Sequence, residues 1–216
     1  MDYEKIYKAV NEFKLVIATS LILFFVGVKD DIIGTAPVKK LFAHIVVALI
    51  LVLMGDIRIT GLYGIFGVYG IPVWGSVFLS IFTYVVVVNA FNLVDGVDGL
   101  AAGIGFIASS AFGVWFVYAN EFGYASLSFA LAGALSGFLI FNFSPAKIFM
   151  GDSGSLVIGM FICVLAIKVI EFPIQQLDSF WVHISKPVFA ISALIYPLLD
   201  TLRVFIIRAL RGQSPF

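Results

Sequence analysis

Charge is the scarcest feature of this sequence. Asp, Glu, Lys and Arg make up only 12% of its 216 residues, while 62% are hydrophobic. A soluble globular domain holds roughly 25% and about 45–50% respectively, so an ordinary soluble domain is excluded and a membrane protein expected. Lys plus Arg and Asp plus Glu are equal at 13 each, which excludes a strongly basic nucleic-acid binder. A single cysteine, Cys163, excludes an internal disulfide and any Cys-x-x-Cys motif, and its apolar neighbours make it a small buried hydrophobe. With only two histidines, His44 and His183, there is no His-Glu-x-x-His zinc motif. His44 lies inside an apolar run and reads as a hydrogen-bonded packing residue. The P-loop pattern and the Gly-x-Ser-x-Gly elbow are missing too, which removes P-loop nucleotide chemistry and that serine nucleophile. Met1–Lys14 is charged and amphiphilic and does not read as a secretory signal peptide.

What the sequence does have is long apolar runs. A helix that crosses a bilayer needs about 20 mostly apolar residues, and on that rule about seven spans are expected. They lie near Leu15–Val28, Leu41–Gly55, Val73–Phe91, Leu100–Tyr118, Ala125–Phe141, Leu156–Ile170 and Val188–Ile207. The expected fold is an all-α polytopic membrane protein, with residues 1–216 forming a single membrane-embedded domain. Asp56–Pro72 alternates apolar with Gly or polar residues, which predicts a small β-hairpin at the membrane surface. Gly99-x-x-x-Gly103 and Gly133-x-x-x-Gly137 predict close helix packing. No internal repeat of the transporter kind is visible.

With an odd number of spans, four connections share one side: Lys29–Lys40, Asn92–Gly99, Asn142–Gly154 and Arg203–Phe216. They carry Asp30, Asp31, Asp95, Asp98 and Asp152, with Lys29, Lys39, Lys40, Lys147, Arg203, Arg208 and Arg211. The Lys and Arg bias marks this side as cytoplasmic, although Lys5, Lys8 and Lys14 fall on the other. Ionisable groups beside hydrocarbon cost roughly 2.5–3.5 kcal/mol each at a helix centre, so their default reading is functional. Asn92, Asp95 and Asp98 are spaced by three and would share a helical stripe. Adjacent Asp30 and Asp31 repel, so one is protonated or a cation sits beside them. Such an oxygen-rich cluster suits a hard cation, and Mg²⁺ typically takes one or two carboxylates, with waters and substrate phosphates completing its shell. Lys40, Lys147 and the C-terminal arginines on the same side point to a pyrophosphate partner. In Gly151-Asp152-Ser153-Gly154-Ser155, Asp152 or Ser153 is placed to cap the following helix, and the small residues admit a phosphate.

Four blocks carry a family resemblance: GVKDDIIG with Lys39-Lys40-Leu41, NAFNLVDGVDGLAAG, NFSPAKIFMGDSGSLVIG and the C-terminal DTLRVFIIRALRGQSPF. In this order they resemble the polyprenyl-phosphate N-acetylhexosamine-1-phosphate transferases, integral membrane enzymes that begin bacterial cell-wall, O-antigen and related glycan assembly. The resemblance covers nearly the whole chain. It departs from the family in two respects, since members usually have about two more spans before the Asp-Asp block and a histidine-rich cytoplasmic segment after Ser-Pro-Phe. The chain is therefore expected to be a piece of a longer protein.

The resemblance implies a reaction in which a UDP-N-acetylhexosamine gives its sugar 1-phosphate to polyprenyl (undecaprenyl) phosphate and releases UMP. It implies Asp152 as the ligand of Mg²⁺, with Mn²⁺ as a substitute, and Asp30 and Asp31 beside the attacking lipid phosphate. Asn92 and Asp95 would support the metal–pyrophosphate region, Asp98 would reach the nucleoside or sugar, and Lys40 with Arg208 or Arg211 would contact phosphates. The implied location is the bacterial inner membrane with a cytoplasmic site, and the resemblance admits a homodimer. The sugar reads as GlcNAc, with phospho-N-acetylmuramoyl-pentapeptide as the alternative within the family. A cation transporter would instead put carboxylates near the bilayer midplane in related halves. A CDP-alcohol phosphotransferase would need an Ala-Arg that Asp95-Gly96-Val97-Asp98 lacks.

Overall fold

A computed structural model describes residues 3–173, 175, 177 and 184–212; His183 and the end of the C-terminal block, 213–216, lie outside them. Among the described residues seven α-helices follow in order: α1 (Tyr3–Ile33), α2 (Pro37–Leu49), α3 (Val73–Val94), α4 (Leu100–Tyr118), α5 (Phe122–Asn142), α6 (Gly151–Glu171) and α7 (Lys186–Leu210). Six are long and apolar enough to cross a membrane, with α2 continued by a π-helical turn over Ile50–Met54. The uncharged stretch of α1, Leu15–Val28, is bounded by Lys14 and Lys29. The chain is thus a multi-pass helical membrane protein.

Sequence explains these elements directly. The helices are apolar around most of their circumference, as segments must be where no water satisfies the backbone. Pro37 and Pro187 stand in the first turns of α2 and α7, where a missing N–H costs nothing. Hydroxyls inside the spans return their protons to the preceding turn, as Thr83 does to the Leu79 carbonyl and Ser128 to that of Tyr124.

α6 is the axis of the bundle. It packs against α1, α3, α4, α5 and α7, and 72% of its apolar stretch is buried, more than in any other span among the described residues. Leu156, Met160, Ile162, Cys163 and Leu165 are fully enclosed. Lipid is as apolar as these side chains, so close packing holds the helices together more than exclusion of water does.

The passes alternate. Asp30, Lys40, Asn92, Leu100, Asn142 and Asp152 mark the ends of α1 to α6 on one face. The far face is marked by contacts of their opposite ends: Lys8 with Asp56 at 3.4 Å, and Tyr124 and Lys168 both on Glu12 at 2.5 Å. Asp152 and Lys168 are separated by roughly 24 Å of helix, close to the thickness of a hydrocarbon core.

Two expectations are corrected. The Asp56–Pro72 loop does not form a β-hairpin: among the described residues there is no strand, only one antiparallel bridge, Gly61 to Gly70. Asp56, Tyr63, Gly64, Phe66 and Gly67 adopt positive φ, which breaks the extended geometry a ladder needs. Backbone bonds from the Leu62 N–H to the Tyr69 carbonyl at 3.0 Å and from the Ile71 N–H to the Thr60 carbonyl at 3.1 Å close the loop around that bridge, and side chains of α3 fasten its start. Ser76 donates to the Ile59 carbonyl at 2.6 Å, and Ser80 accepts the Ile59 N–H at 2.8 Å. The second correction concerns the glycine pairs. Gly103, Gly133 and Gly137 face open space and do not mediate close helix packing.

Candidate active site

Four helix ends meet on the aspartate-bearing face. α1 brings Asp30 and Asp31, α2 brings Lys40, α3 brings Asn92 and its cap Asp95, and the start of α6 brings Asp152 and, a turn later, Ser155. A carboxylate in a first helical turn is favoured by the helix dipole.

Asp152 is gripped from two sides. Its Oδ1 accepts a hydrogen bond from Asn92 Nδ2 at 2.6 Å, and its Oδ2 is ion-paired with the Lys40 ammonium. Asn92 Nδ2 also donates to Ser155 Oγ at 3.0 Å. The Lys40 ammonium lies 3.4 Å from both Asp30 Oδ2 and Asn92 Oδ1. Lys40, Asp30 and Asp152 side chains are 16%, 21% and 16% exposed, so the group is shielded but not sealed. Behind it Asn89 Nδ2 approaches Nδ1 of buried His44 at 3.4 Å, in keeping with a packing role for that histidine.

The oxygens of Asp30, Asn92 and Asp152 therefore surround a cation supplied by the protein itself. Two carboxylates and one amide oxygen make a hard donor set of the kind Mg²⁺ accepts. Among the described residues no three Asp, Glu, His or Cys side chains converge as an all-protein metal cage. Mg²⁺ in phosphate sites does not need one, because waters and substrate oxygens fill most of its octahedron. The residues fit such an ion, with Asp152 at the centre of the set.

Asp31 points elsewhere. Its Oδ1 accepts the backbone N–H of Asp152 at 2.8 Å and its Oδ2 that of Ser153 at 3.1 Å. It caps α6, a role the sequence suggested for Asp152 or Ser153. Neither caps, and no side chain of the residue before the helix does so either. Gly151 has φ +67°, and its Cα faces the Asp31 carboxylate so closely that a Cβ would lie 2.8 Å from Oδ2. Asp95 stands beside this contact. Burial, with the negative charge of Asp31 adding to it, pushes its carboxyl up to about 6, although the Gly151 backbone hydrogen bond pulls the other way.

Asp98 is not drawn into the group. α3 ends at Val94, so the helical stripe expected to carry Asn92, Asp95 and Asp98 stops before Asp98. Its Oδ2 accepts the Ala146 N–H at 3.0 Å and ties the turn after α3 to the loop after α5. Asn142, missed in the sequence, makes the same connection: its Oδ1 accepts from Gly99 N at 3.0 Å and its Nδ2 donates to the Ile148 carbonyl at 2.9 Å. Ser155 was missed as well, though its place one helical turn after Asp152 was a usable signal. Arg208 and Arg211 stand at the C-terminal end of α7, and the polar contacts above involve neither. Arg203 pairs with Asp200 of its own helix at 2.9 Å.

The sequence is similar to those of known proteins. The profile of glycosyl transferase family 4 matches residues 13–170. The chain is 36% identical to a decaprenyl-phosphate N-acetylglucosaminephosphotransferase of Mycolicibacterium smegmatis, over 93% of the chain and 52% of that protein. It is 34% identical to the protein of the same description from Mycobacterium tuberculosis, over 93% and 53%. A phospho-N-acetylmuramoyl-pentapeptide-transferase of Listeria monocytogenes is 48% identical over a shorter match, 44% of the chain and 30% of that protein. The chain spans about half the length of the mycobacterial relatives.

Proposed function

Because the chain belongs to glycosyl transferase family 4, we propose that its protein transfers N-acetylhexosamine 1-phosphate, specifically GlcNAc-1-phosphate, from a UDP-sugar to polyprenyl phosphate. The observation that carries this reading is the shielded oxygen set of Asp30, Asn92 and Asp152 closed around Lys40 at the ends of membrane-crossing helices. A water-soluble nucleotide sugar and the headgroup of a lipid can meet only at such a boundary. The transporter alternative expected carboxylates near the midplane, whereas these lie at helix ends.

The chemistry follows from the residues. A phosphate oxygen of the lipid attacks the phosphorus attached to the sugar, the bond to the bridging oxygen breaks, and UMP leaves. Asp152 would hold Mg²⁺ or Mn²⁺, flanked by Asn92 and Asp30; when bound, the ion neutralises the pyrophosphate and polarises the phosphorus. Asp30 orders the lipid phosphate or takes its proton. Lys40 contacts phosphate oxygens as a point charge, and Arg208 and Arg211 add forked donors from α7. Asp95 supports the pyrophosphate side from beside Gly151, and Asp98 acts on the nucleoside or sugar through the loop it pins. Direct displacement is favoured over a covalent enzyme intermediate, since none of these groups forms a nucleophile–base pair. The Lys and Arg bias supports a site on the cytoplasmic side of a bacterial inner membrane.

The match over nearly all of the chain to N-acetylglucosaminephosphotransferases favours GlcNAc; the shorter match to the pentapeptide transferase keeps that donor as the alternative. Full-length protein offered polyprenyl phosphate with UDP-GlcNAc, UDP-GalNAc or UDP-N-acetylmuramoyl-pentapeptide should form lipid-linked product and UMP from UDP-GlcNAc first. Product from the pentapeptide donor alone would transfer the assignment to the other branch.

A further inference from the structure

Asp30 and Asp31 are neighbours in sequence but not in function. On a helix, consecutive side chains diverge by about 100°, so an adjacent pair cannot face one ligand together. Asp30 turns to Lys40, and Asp31 turns to α6. Gly27, four residues before Asp31, lies on the same face of α1. A Cβ at Gly27 would stand 2.4 Å from the Ser153 nitrogen, so the glycine lets α1 seat directly on the first turn of α6. One turn later Asp31 accepts the N–H groups of Asp152 and Ser153, and Gly151 leaves room for its carboxylate.

We propose that Asp31 is a positioning residue: from α1 it caps α6 and so fixes the direction in which Asp152 presents its carboxylate. This builds on the transferase reading but assigns Asp31 differently from the expectation that both aspartates border the lipid phosphate. Without Asp31, two N–H groups at the start of α6 lose their acceptors, and the backbone that carries Asp152 loses its anchor. The side-chain clasp by Asn92 and Lys40 then acts on a residue whose main chain is free to shift. Outer partners that orient a metal ligand typically change metal affinity or activity by about 10–100-fold.

The test measures binding of Mn²⁺ alone by electron paramagnetic resonance on the full-length protein, beside the kinetics of wild type, Asp31→Ala and Asp31→Asn. Asp31→Ala is expected to weaken Mn²⁺ about 10–100-fold and to lower kcat, with the KM for polyprenyl phosphate unchanged. Asp31→Asn keeps one acceptor oxygen and should recover part of that affinity, which also separates the effect from misfolding. Wild-type Mn²⁺ affinity in Asp31→Ala, or a rise confined to the KM for polyprenyl phosphate, would overturn the proposal, as would absence of Mn²⁺ binding in the wild type. Weakened Mn²⁺ binding in a protein that turns over no UDP-sugar would sustain the positioning role while sinking the transferase reading.

Discussion

A carboxyl that burial and a neighbouring carboxylate hold up to about 6 titrates where enzymes are assayed. Asp95 is ionised above that value and protonated below it, so a role for its carboxylate gives kcat/KM an acid limb near pH 6. Asp95→Asn should remove that limb, and Asp31→Asn should move it to lower pH, because the charge of Asp31 helps to raise Asp95. A pH profile unchanged in both variants would refute the assignment. At this scale the sequence was informative about which residues matter and less so about their partners. Asp30, Asp152, Asn92 and Lys40 were readable as costly polar groups beside apolar runs, and they do meet. The divergence of Asp30 from Asp31 follows only from knowing that α1 runs through both residues to Ile33. Asn142 was hidden because a polar residue at a helix end has a ready solvated alternative.

Among the elements, the seating of α1 on α6 is the tightest demand on the sequence. Gly27→Ala puts a methyl group against backbone, which cannot yield as a flexible side chain would. Overpacking of this kind costs about 1–3 kcal/mol, and the variant is expected to melt at lower temperature in detergent. Gly133→Ala serves as the control, since nothing lies within 4 Å of that position. Equal melting of the two variants would contradict the contact. Helix existence was legible because an all-round apolar run has only one structure available in lipid. Leu100–Tyr118 was located to the residue, whereas α6 begins earlier than expected, at Gly151. Hydropathy cannot see a polar first turn, and that turn carries Asp152. The Asp56–Pro72 loop misled for a related reason: alternation describes side chains, while positive φ at its glycines and tyrosine decides the backbone.

For the whole molecule, alternating passes put the Asp95–Gly99 turn and the Gly61–Gly70 loop on opposite sides. Val97 and Tyr69, 59% and 77% exposed, report those sides, and Cys163 is fully buried and silent. A membrane-impermeant maleimide should label Tyr69→Cys in intact cells with a permeable outer envelope, and Val97→Cys only after the inner membrane is opened. The reverse pattern would move the candidate site to the outside. The direct test of the central claim is UMP release from UDP-GlcNAc by the full-length protein with polyprenyl phosphate and Mg²⁺, comparing wild type with Asp152→Asn. The substitution keeps the size of the side chain and removes the charge that Lys40 and Asn92 hold in place. The predicted result is lipid-dependent UMP release in the wild type and its loss in the variant; turnover at the wild-type rate in Asp152→Asn would contradict it.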